Sequence, residues 1–143
     1  MSTGWRAMLA WAIMAAPCAI AAAATSTVAK AADTAALQRG EQIYTRCAAC
    51  HAIETNRTGP QHCGLFGRRA GSAPGFDQYS AAMRGAGFEW NAQTLDRFLR
   101  DPAAMVPGTT MGYAGIADAH ERADLIAWLR EATRAGARCT LQR

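Results

Sequence analysis

The amino-acid sequence predicts an all-α domain, and three observations support this fold class. Apolar residues recur at three- and four-residue steps in several segments, which is the spacing of one helix face. Residues that cap helices stand at the start of those segments. No stretch predicts a β-strand of useful length. A chain of 143 residues has room for one domain and a targeting segment, so we expect a small fold with a limited apolar core.

Residues 1–31 have the composition of a secretory signal peptide. Arg6 supplies the positive charge, residues 8–24 are uncharged and mostly apolar, and small residues of a cleavage site precede positions 25 and 32. An uncleaved anchor is the alternative, but the apolar run is alanine-rich and broken by Pro17, which is weak for a membrane span. We predict cleavage after about residue 24 or residue 31, and a mature domain over residues 32–143.

Three main helices and one short helix are predicted in that domain. Asp33 or Thr34 caps the first, and Asp118 with Glu121 forms a capping pair at the last. The predicted bounds are about Ala35 to Ala48, Ser80 to Arg84, Asn91 to about Arg100, and about Ala119 to Arg134. Two loops rich in glycine and proline, residues 52–76 and 105–111, complete the chain. So long a first loop is uncommon unless it serves a function, such as wrapping a bound group.

The apolar faces of these helices form the predicted core. Gly40 interrupts the first face, and glycine inside a helix costs about 1 kcal/mol relative to alanine. We interpret Gly40 as a position where another helix approaches closely. The alternative is a glycine that is merely tolerated there. The faces are Leu37, Gly40, Ile43, Tyr44 and Cys47, then Leu95, Phe98 and Leu99, then Leu125, Trp128, Leu129 and Ala132.

The motif with the most specific chemistry is Cys47-Ala48-Ala49-Cys50-His51. Two cysteines separated by two residues and followed by histidine predict a c-type haem attachment site, in which each thiol adds to a haem vinyl group. His51 is then placed to reach the iron as the proximal axial ligand. A structural zinc site would need a second ligand pair, and a redox dithiol would need a preceding strand of a parallel sheet.

The charge of the mature domain argues against nucleic-acid binding. Cleavage would remove Arg6 and Lys30 from the 15 basic side chains, leaving 13 against 11 acidic ones. All the remaining basic residues would be arginines. Two haem propionates would offset the small positive excess, whereas nucleic-acid binding requires a concentrated basic patch.

The sixth ligand of such a haem decides between electron transfer and the binding of gas or peroxide. Two strong axial ligands close the iron and suit electron transfer. We predict Met111, because it lies on a proline-glycine loop that can approach the haem face opposite His51. Met83 and Met105 are interpreted as core residues. The full set of candidates is Met83, Met105, Met111, His62 and His120.

The chain resembles class I cytochrome c, the mitochondrial and bacterial periplasmic monohaem type, from about Gln38 to Ala135. The resemblance implies that family's fold around one covalently bound haem c. The matching motifs are Cys47 to His51, Thr58-Gly59-Pro60, Gly64 to Arg68, Ala73 to Phe76 with Trp90, Pro107 to Met111, Gly115-Ile116, and Leu125 to Leu129.

The resemblance also implies residue roles. Cys47 and Cys50 attach the haem, and His51 and Met111 are its axial ligands. The carbonyl of Pro60 accepts a hydrogen bond from the His51 ring, which orients the ring and raises its basicity. Gly40 and Tyr44 pack against Leu125 and Trp128 where the first and last helices cross. The expected propionate partners are Arg68, Tyr79, Trp90 and Thr109.

Four positions depart from the family pattern. One extra residue lies between Phe76 and Tyr79, which shifts Tyr79 from the family's position for a propionate partner. Phe98 stands where the family has a tyrosine that donates a hydrogen bond to the ligand sulfur. Thr110 replaces a lysine, in keeping with the absence of the lysines that steer this family to acidic partners. His62 stands where an apolar residue is usual, and three roles are open: a surface or structural residue, an alternative ligand, or a propionate partner.

Cys63 and Cys139 are the two thiols that remain after haem attachment and signal cleavage. In an oxidising compartment such a pair predicts a disulfide bond, with two separate thiols as the alternative. The bond would tie the first loop to the segment that follows the last helix.

Together these features predict a periplasmic, monomeric single-electron carrier that is not an enzyme. Its partners would be a donor and an acceptor protein, docked weakly and partly by electrostatics, and the mature form would have no membrane span. The alternatives are a haem peroxidase or gas sensor with a labile sixth ligand, and the dedicated haem subunit of a periplasmic enzyme.

Overall fold

The computed structural model describes residues 33–136, together with Lys30, Arg138 and Cys139. Helix α1 covers residues 33–44, and the others are α2 (Ala81–Arg84), α3 (Ala92–Arg100), α4 (Pro102–Met105) and α5 (Ala119–Ala132). Extended pairing in the described part is limited to two isolated bridges, Arg69 with Glu89 and Ala135 with Cys139. The all-α prediction is confirmed. Apart from Lys30, the predicted signal peptide lies outside the described residues.

Side-chain caps determine where α3 and α5 begin. The side-chain oxygen of Asn91 accepts the backbone N–H groups of Gln93 and Thr94, both at 2.9 Å, and the Asn91 N–H donates back to the Thr94 hydroxyl. Asp118 caps α5 by accepting from the N–H groups of His120 and Glu121. These bonds satisfy amide groups that have no partner within the helix.

Glu121 does not complete the predicted capping pair with Asp118. Its carboxylate instead accepts two hydrogen bonds from the Arg46 guanidinium, at 2.7 and 2.9 Å. A bidentate pair between guanidinium and carboxylate is stronger than a return bond to a neutral amide, which accounts for the difference. The bond links the segment after α1 to the first turn of α5.

The helices differ from the prediction at two C-terminal ends and by one additional helix; α5 ends at Ala132 rather than at Arg134. Helix α1 ends at residue 44 rather than 48, because the following amides turn to nearer carbonyls: Thr45 donates to Gln42, and Cys47 donates to Tyr44. Helix α4 was not predicted. Asp101 caps it through the N–H of Ala104, and Pro102 occupies its first turn. Four residues are too few to produce a periodic signal.

The core forms where α5 meets α1 and α3. A Cβ atom at Gly40 would stand 2.5 Å from Cβ of Trp128, and the Tyr44 ring packs against the Trp128 ring at 4.6 Å between centroids. Leu125 is completely buried. The predicted faces of α3 and α5 are buried throughout, and in the face predicted for the first helix only Leu37 and Cys47, which lies beyond the end of α1, are partly exposed.

Candidate functional site

One cavity of about 400 Å³ opens between the loops and the inner faces of α3 and α5. Its wall is mostly aliphatic and aromatic, and includes Leu65, Leu95, Leu99, Leu125 and Leu129. All nine residues predicted to bind a cofactor lie in this wall: Cys47, Cys50, His51, Pro60, Arg68, Tyr79, Trp90, Thr109 and Met111. The cavity thus gathers nine predicted residues that are up to 64 positions apart in the sequence.

The Cys47–His51 motif forms a single tight turn at the edge of the cavity. The N–H groups of Cys50 and His51 both donate to the carbonyl of Cys47, at 3.1 and 2.9 Å. This turn brings both thiols and the imidazole to the same wall. Cys50 is exposed, whereas burial raises the pKa of the Cys47 thiol to about 11.

The His51 ring is held from two sides. Its Nδ1 atom lies 2.8 Å from the carbonyl oxygen of Pro60, and a carbonyl can only accept, so Nδ1 carries the proton. The Nε2 lone pair is then free to coordinate a metal. Gly59 lies against the same ring, since a Cβ there would stand 2.7 Å from Nδ1. Burial lowers the pKa of His51, and the bond to Pro60 opposes that shift.

Of the predicted sixth-ligand candidates, Met111, Met83 and His62 line the cavity. Met111 is partly exposed, and its backbone N–H donates to the Thr109 hydroxyl at 3.3 Å. Met83 is buried on α2. Met105 packs against the core outside the cavity wall, and His120 is exposed at the start of α5.

Arg68 presents an unpaired donor near the predicted propionate partners. Its two terminal nitrogens donate to the carbonyls of Cys63 and Gln61, at 2.8 and 3.0 Å. Its Nε atom is buried and has no hydrogen-bond partner. Burial lowers the pKa of this guanidinium. An unpaired cationic donor in a cavity wall fits an anionic group of a bound molecule.

Tyr79 and Trp90 complete this part of the wall. The Tyr79 hydroxyl accepts from the N–H of Ala73 at 3.2 Å, so its own hydrogen remains available for donation. Burial raises the pKa of Tyr79, which keeps the phenol protonated. Trp90 is buried, and its ring meets the Phe98 ring edge-on at 5.0 Å.

His62 lies in the cavity wall, beside the proposed ligand His51. Its ring stacks on the His51 ring, with centroids 4.5 Å apart and planes 23° apart, and its Nδ1 is 3.1 Å from the Tyr44 hydroxyl. Burial lowers the pKa of His62 well below its usual range, and nearby His51 and Arg68 lower it further. The ring is therefore uncharged at neutral pH.

The donor set and the shape of the cavity fit a covalently bound haem. Two thiols and a histidine with a free Nε2 stand on one wall, the remaining wall is mainly apolar, and an unpaired cationic donor suits a propionate. The His51 ring lies so close to Gly59 that a side chain at position 59 would clash with it. A helical domain with these features is a c-type haem protein.

A family model described as Cytochrome c matches residues 37–133, and the chain belongs to this family. It is 40% identical over 112 residues to a cytochrome c homolog of Bradyrhizobium diazoefficiens, covering 76% of this chain and 61% of that protein. It is 46% identical over 101 residues to cytochrome c of Chlamydomonas reinhardtii, covering 68% of this chain and 89% of that protein. The solved structure of cytochrome cH from Methylobacterium extorquens matches with a TM-score of 0.63 and 38% identity, over 65% of this chain and 95% of that one.

Two kinds of site residue were not predicted from the sequence. The leucines of the cavity wall come from a loop and two helices, and their periodicity predicts burial without saying what they face. The His62 ring stacks on the His51 ring across the loop between them, and no sequence pattern indicates this contact. The unusual residue type at position 62 was the available signal.

Proposed function

We propose that the mature protein is a periplasmic single-electron carrier with one covalently bound haem c, ligated by His51 and Met111. The cytochrome c family consists of electron-carrying haem proteins, which supports the general function. The observation that carries the proposal is the bond from His51 Nδ1 to the Pro60 carbonyl. It leaves Nε2 free to coordinate a metal in a cavity that Met111 also lines.

The haem iron, when bound, supplies one-electron chemistry by alternating between ferric and ferrous states. The chain's own residues prepare the environment for it. Cys47 and Cys50 would hold the group covalently, and the hydrogen bond to Pro60 fixes the tautomer of His51 and raises its basicity. The leucine wall would exclude water from the bound group, which lowers the local dielectric constant and strengthens electrostatic interactions there.

Met111 is the proposed second axial ligand. Thr109 holds its backbone through the Met111 N–H, and the thioether favours the reduced state more than a second imidazole would. His62 cannot serve as the ligand opposite His51, because rings stacked at 4.5 Å lie beside each other and not on opposite sides of a metal. Arg68, Tyr79, Trp90 and Thr109 are proposed as propionate partners.

Residues 1–31 are proposed to direct export and to be cleaved after about residue 24 or 31, leaving residues 32–143. Thioether attachment in bacteria takes place on the periplasmic side, in agreement with an exported protein. The helices of the described residues include none long and apolar enough to cross a membrane.

Cys63 and Cys139 are proposed to form a disulfide bond. Their Cα atoms lie 5.5 Å apart, within the range of such bonds. The cross-link would hold the segment 61–63, which forms part of the haem wall, against the segment that follows α5.

The proposed partners are one electron-donating and one electron-accepting protein that meet a monomer at the cavity mouth. Thr110 and Gly112 are exposed in the cavity wall and carry no charge, and the exposed Arg46 in the same wall is paired with Glu121. Docking on this side would therefore depend less on ionic strength than docking through a ring of lysines.

A haem enzyme or gas sensor is the second candidate function, and Phe98 is the observation that favours it. The Phe98 side chain is buried in the cavity wall and has no hydroxyl to donate to a ligand sulfur, so Met111 would be held less firmly. A displaced Met111 would open the iron to gas or peroxide.

The experiment that separates the two functions uses the purified mature holoprotein. The carrier should titrate as one reversible one-electron centre, and its ferrous form should not bind carbon monoxide at neutral pH. Rapid binding of carbon monoxide by the native protein would overturn the carrier function and support the enzyme or sensor.

A further inference from the structure

His62 and Tyr44 form an additional layer behind the proposed proximal ligand. The His62 ring lies on the face of the His51 ring, and the Tyr44 hydroxyl lies 3.1 Å from His62 Nδ1. The Tyr44 ring meets the His62 ring nearly edge-on, at 5.7 Å and 68°. Tyr44 is itself buried against Trp128. His51 is therefore connected to the α1–α5 crossing through His62.

The backbone that carries His62 is also held firmly. The His62 N–H donates to the carbonyls of Ala52 and Ile53, at 3.2 and 3.0 Å, and the Cys63 N–H donates to Ile53 at 2.8 Å. The Arg68 guanidinium donates hydrogen bonds to the carbonyls of Gln61 and Cys63, on both sides of His62. Because its backbone is fixed, the His62 ring can restrain the His51 ring instead of moving with it.

We propose that His62 is a positioning residue that sets the plane of the His51 imidazole, with Tyr44 holding His62 in place. This inference rests on the proposed haem function. A single hydrogen bond from Nδ1 to Pro60 restrains that atom but leaves the ring able to tilt about it. Gly59 limits the tilt at one place, and the stacked His62 ring limits rotation over a whole face. The orientation of an axial imidazole determines how its orbitals overlap with those of a bound iron.

The test measures imidazole orientation directly in the ferric holoprotein. Proton NMR of the haem methyl groups and electron paramagnetic resonance g values both depend on the plane of the axial ligands. The variants are His62→Ala and His62→Leu, which remove the flat ring, His62→Phe, which keeps it, and Tyr44→Phe, which removes the hydroxyl. His120→Ala is the matched control, because His120 is exposed and outside the cavity wall.

We expect His62→Ala and His62→Leu to change the spread of the haem methyl shifts and the g values. His62→Phe should restore a pattern close to wild type, Tyr44→Phe should give a smaller change, and His120→Ala should give none. If His62→Ala fails to fold, His62→Leu and Tyr44→Phe still decide the question.

Unchanged spectra in the foldable His62 variants, with only a loss of stability, would overturn the inference. A wild-type ferric protein that is high-spin would overturn the proposed ligation instead. These two failures are distinguishable, because the first leaves the far-red sulfur-to-iron band of the wild type intact.

Discussion

Gly40 lies so close to Trp128 that a methyl group at position 40 would stand 2.5 Å from the Trp128 Cβ atom. The backbone carbonyl of Asp124 would be nearer still. Backbone atoms cannot rotate away as a flexible side chain can, so α1 and α5 would have to separate. The predicted reason for the glycine, close approach of another helix, is thus confirmed by the packing.

Gly40→Ala should lower the free energy of unfolding by about 2 kcal/mol, because overpacking outweighs the gain in helix propensity of about 1 kcal/mol. Denaturant unfolding of the holoprotein measures this change. Gly112→Ala is the matched control, since a Cβ there meets nothing within 4 Å. A Gly40→Ala protein as stable as wild type would show that the helices do not cross in this way.

Replacing both Cys63 and Cys139 with serine should lower the free energy of unfolding by roughly 4 kcal/mol. The estimate follows from the 76-residue separation and the chain entropy that a cross-link removes from the unfolded state. Matched denaturation curves of wild type and variant give the difference. Because the change is ascribed to the unfolded state, the wild-type protein treated with a reductant should show a similar loss.

Thiol counting gives a second measure of the bond. Cys47 and Cys50 cannot be alkylated once they are bonded to the haem. Alkylation of the unfolded mature protein should therefore label no cysteine before reduction and two, Cys63 and Cys139, after it. Labelling of Cys63 and Cys139 without a reductant would contradict the disulfide.

Export should remove the N-terminus of the chain. Sequencing of the protein recovered from the periplasm should begin at about residue 25 or 32, and the product should lack Cys18 and Arg6. Recovery of the intact N-terminus in the membrane fraction would instead indicate a retained anchor.

Arg68→Met should lower the reduction potential. Removing a positive charge beside the haem favours the ferric form, which is the more positively charged state. We expect a change in redox free energy of about 1 to 4 kcal/mol, the range of a Coulomb interaction between close charges when the effective dielectric constant lies between that of water and about 20. Arg134→Met is the control, because Arg134 is exposed and pairs with Glu131. A potential that stays constant or rises would contradict the placement of Arg68 beside a propionate.

The sequence predicted the helices that begin with side-chain caps and carry a continuous apolar face. Asn91 and Asp118 mark the starts of α3 and α5 in the structure as they do in the sequence. The end of α1 was wrong by four residues, because turn hydrogen bonds compete with helical ones over the motif. Local bonds of similar energy leave no pattern in residue types.

The grouping of the predicted site residues around one cavity could be predicted because their residue types are chemically specific. The contacts that organise the site were harder to predict. Arg68 reaches back to carbonyls five and seven residues away, and the stacking of His62 on His51 depends on how the loop closes. Such contacts follow from the folded path of the chain, which residue type and spacing do not determine.

Ligation of the haem by His51 and Met111 can be tested by the visible spectrum of the ferric protein. The wild-type holoprotein should show the weak far-red sulfur-to-iron charge-transfer band. Met111→Ala should lose it, and Met83→Leu, which alters the other methionine of the cavity wall, should keep it. A wild-type protein without the band, or a Met111→Ala protein that retains it, would show that Met111 is not the ligand.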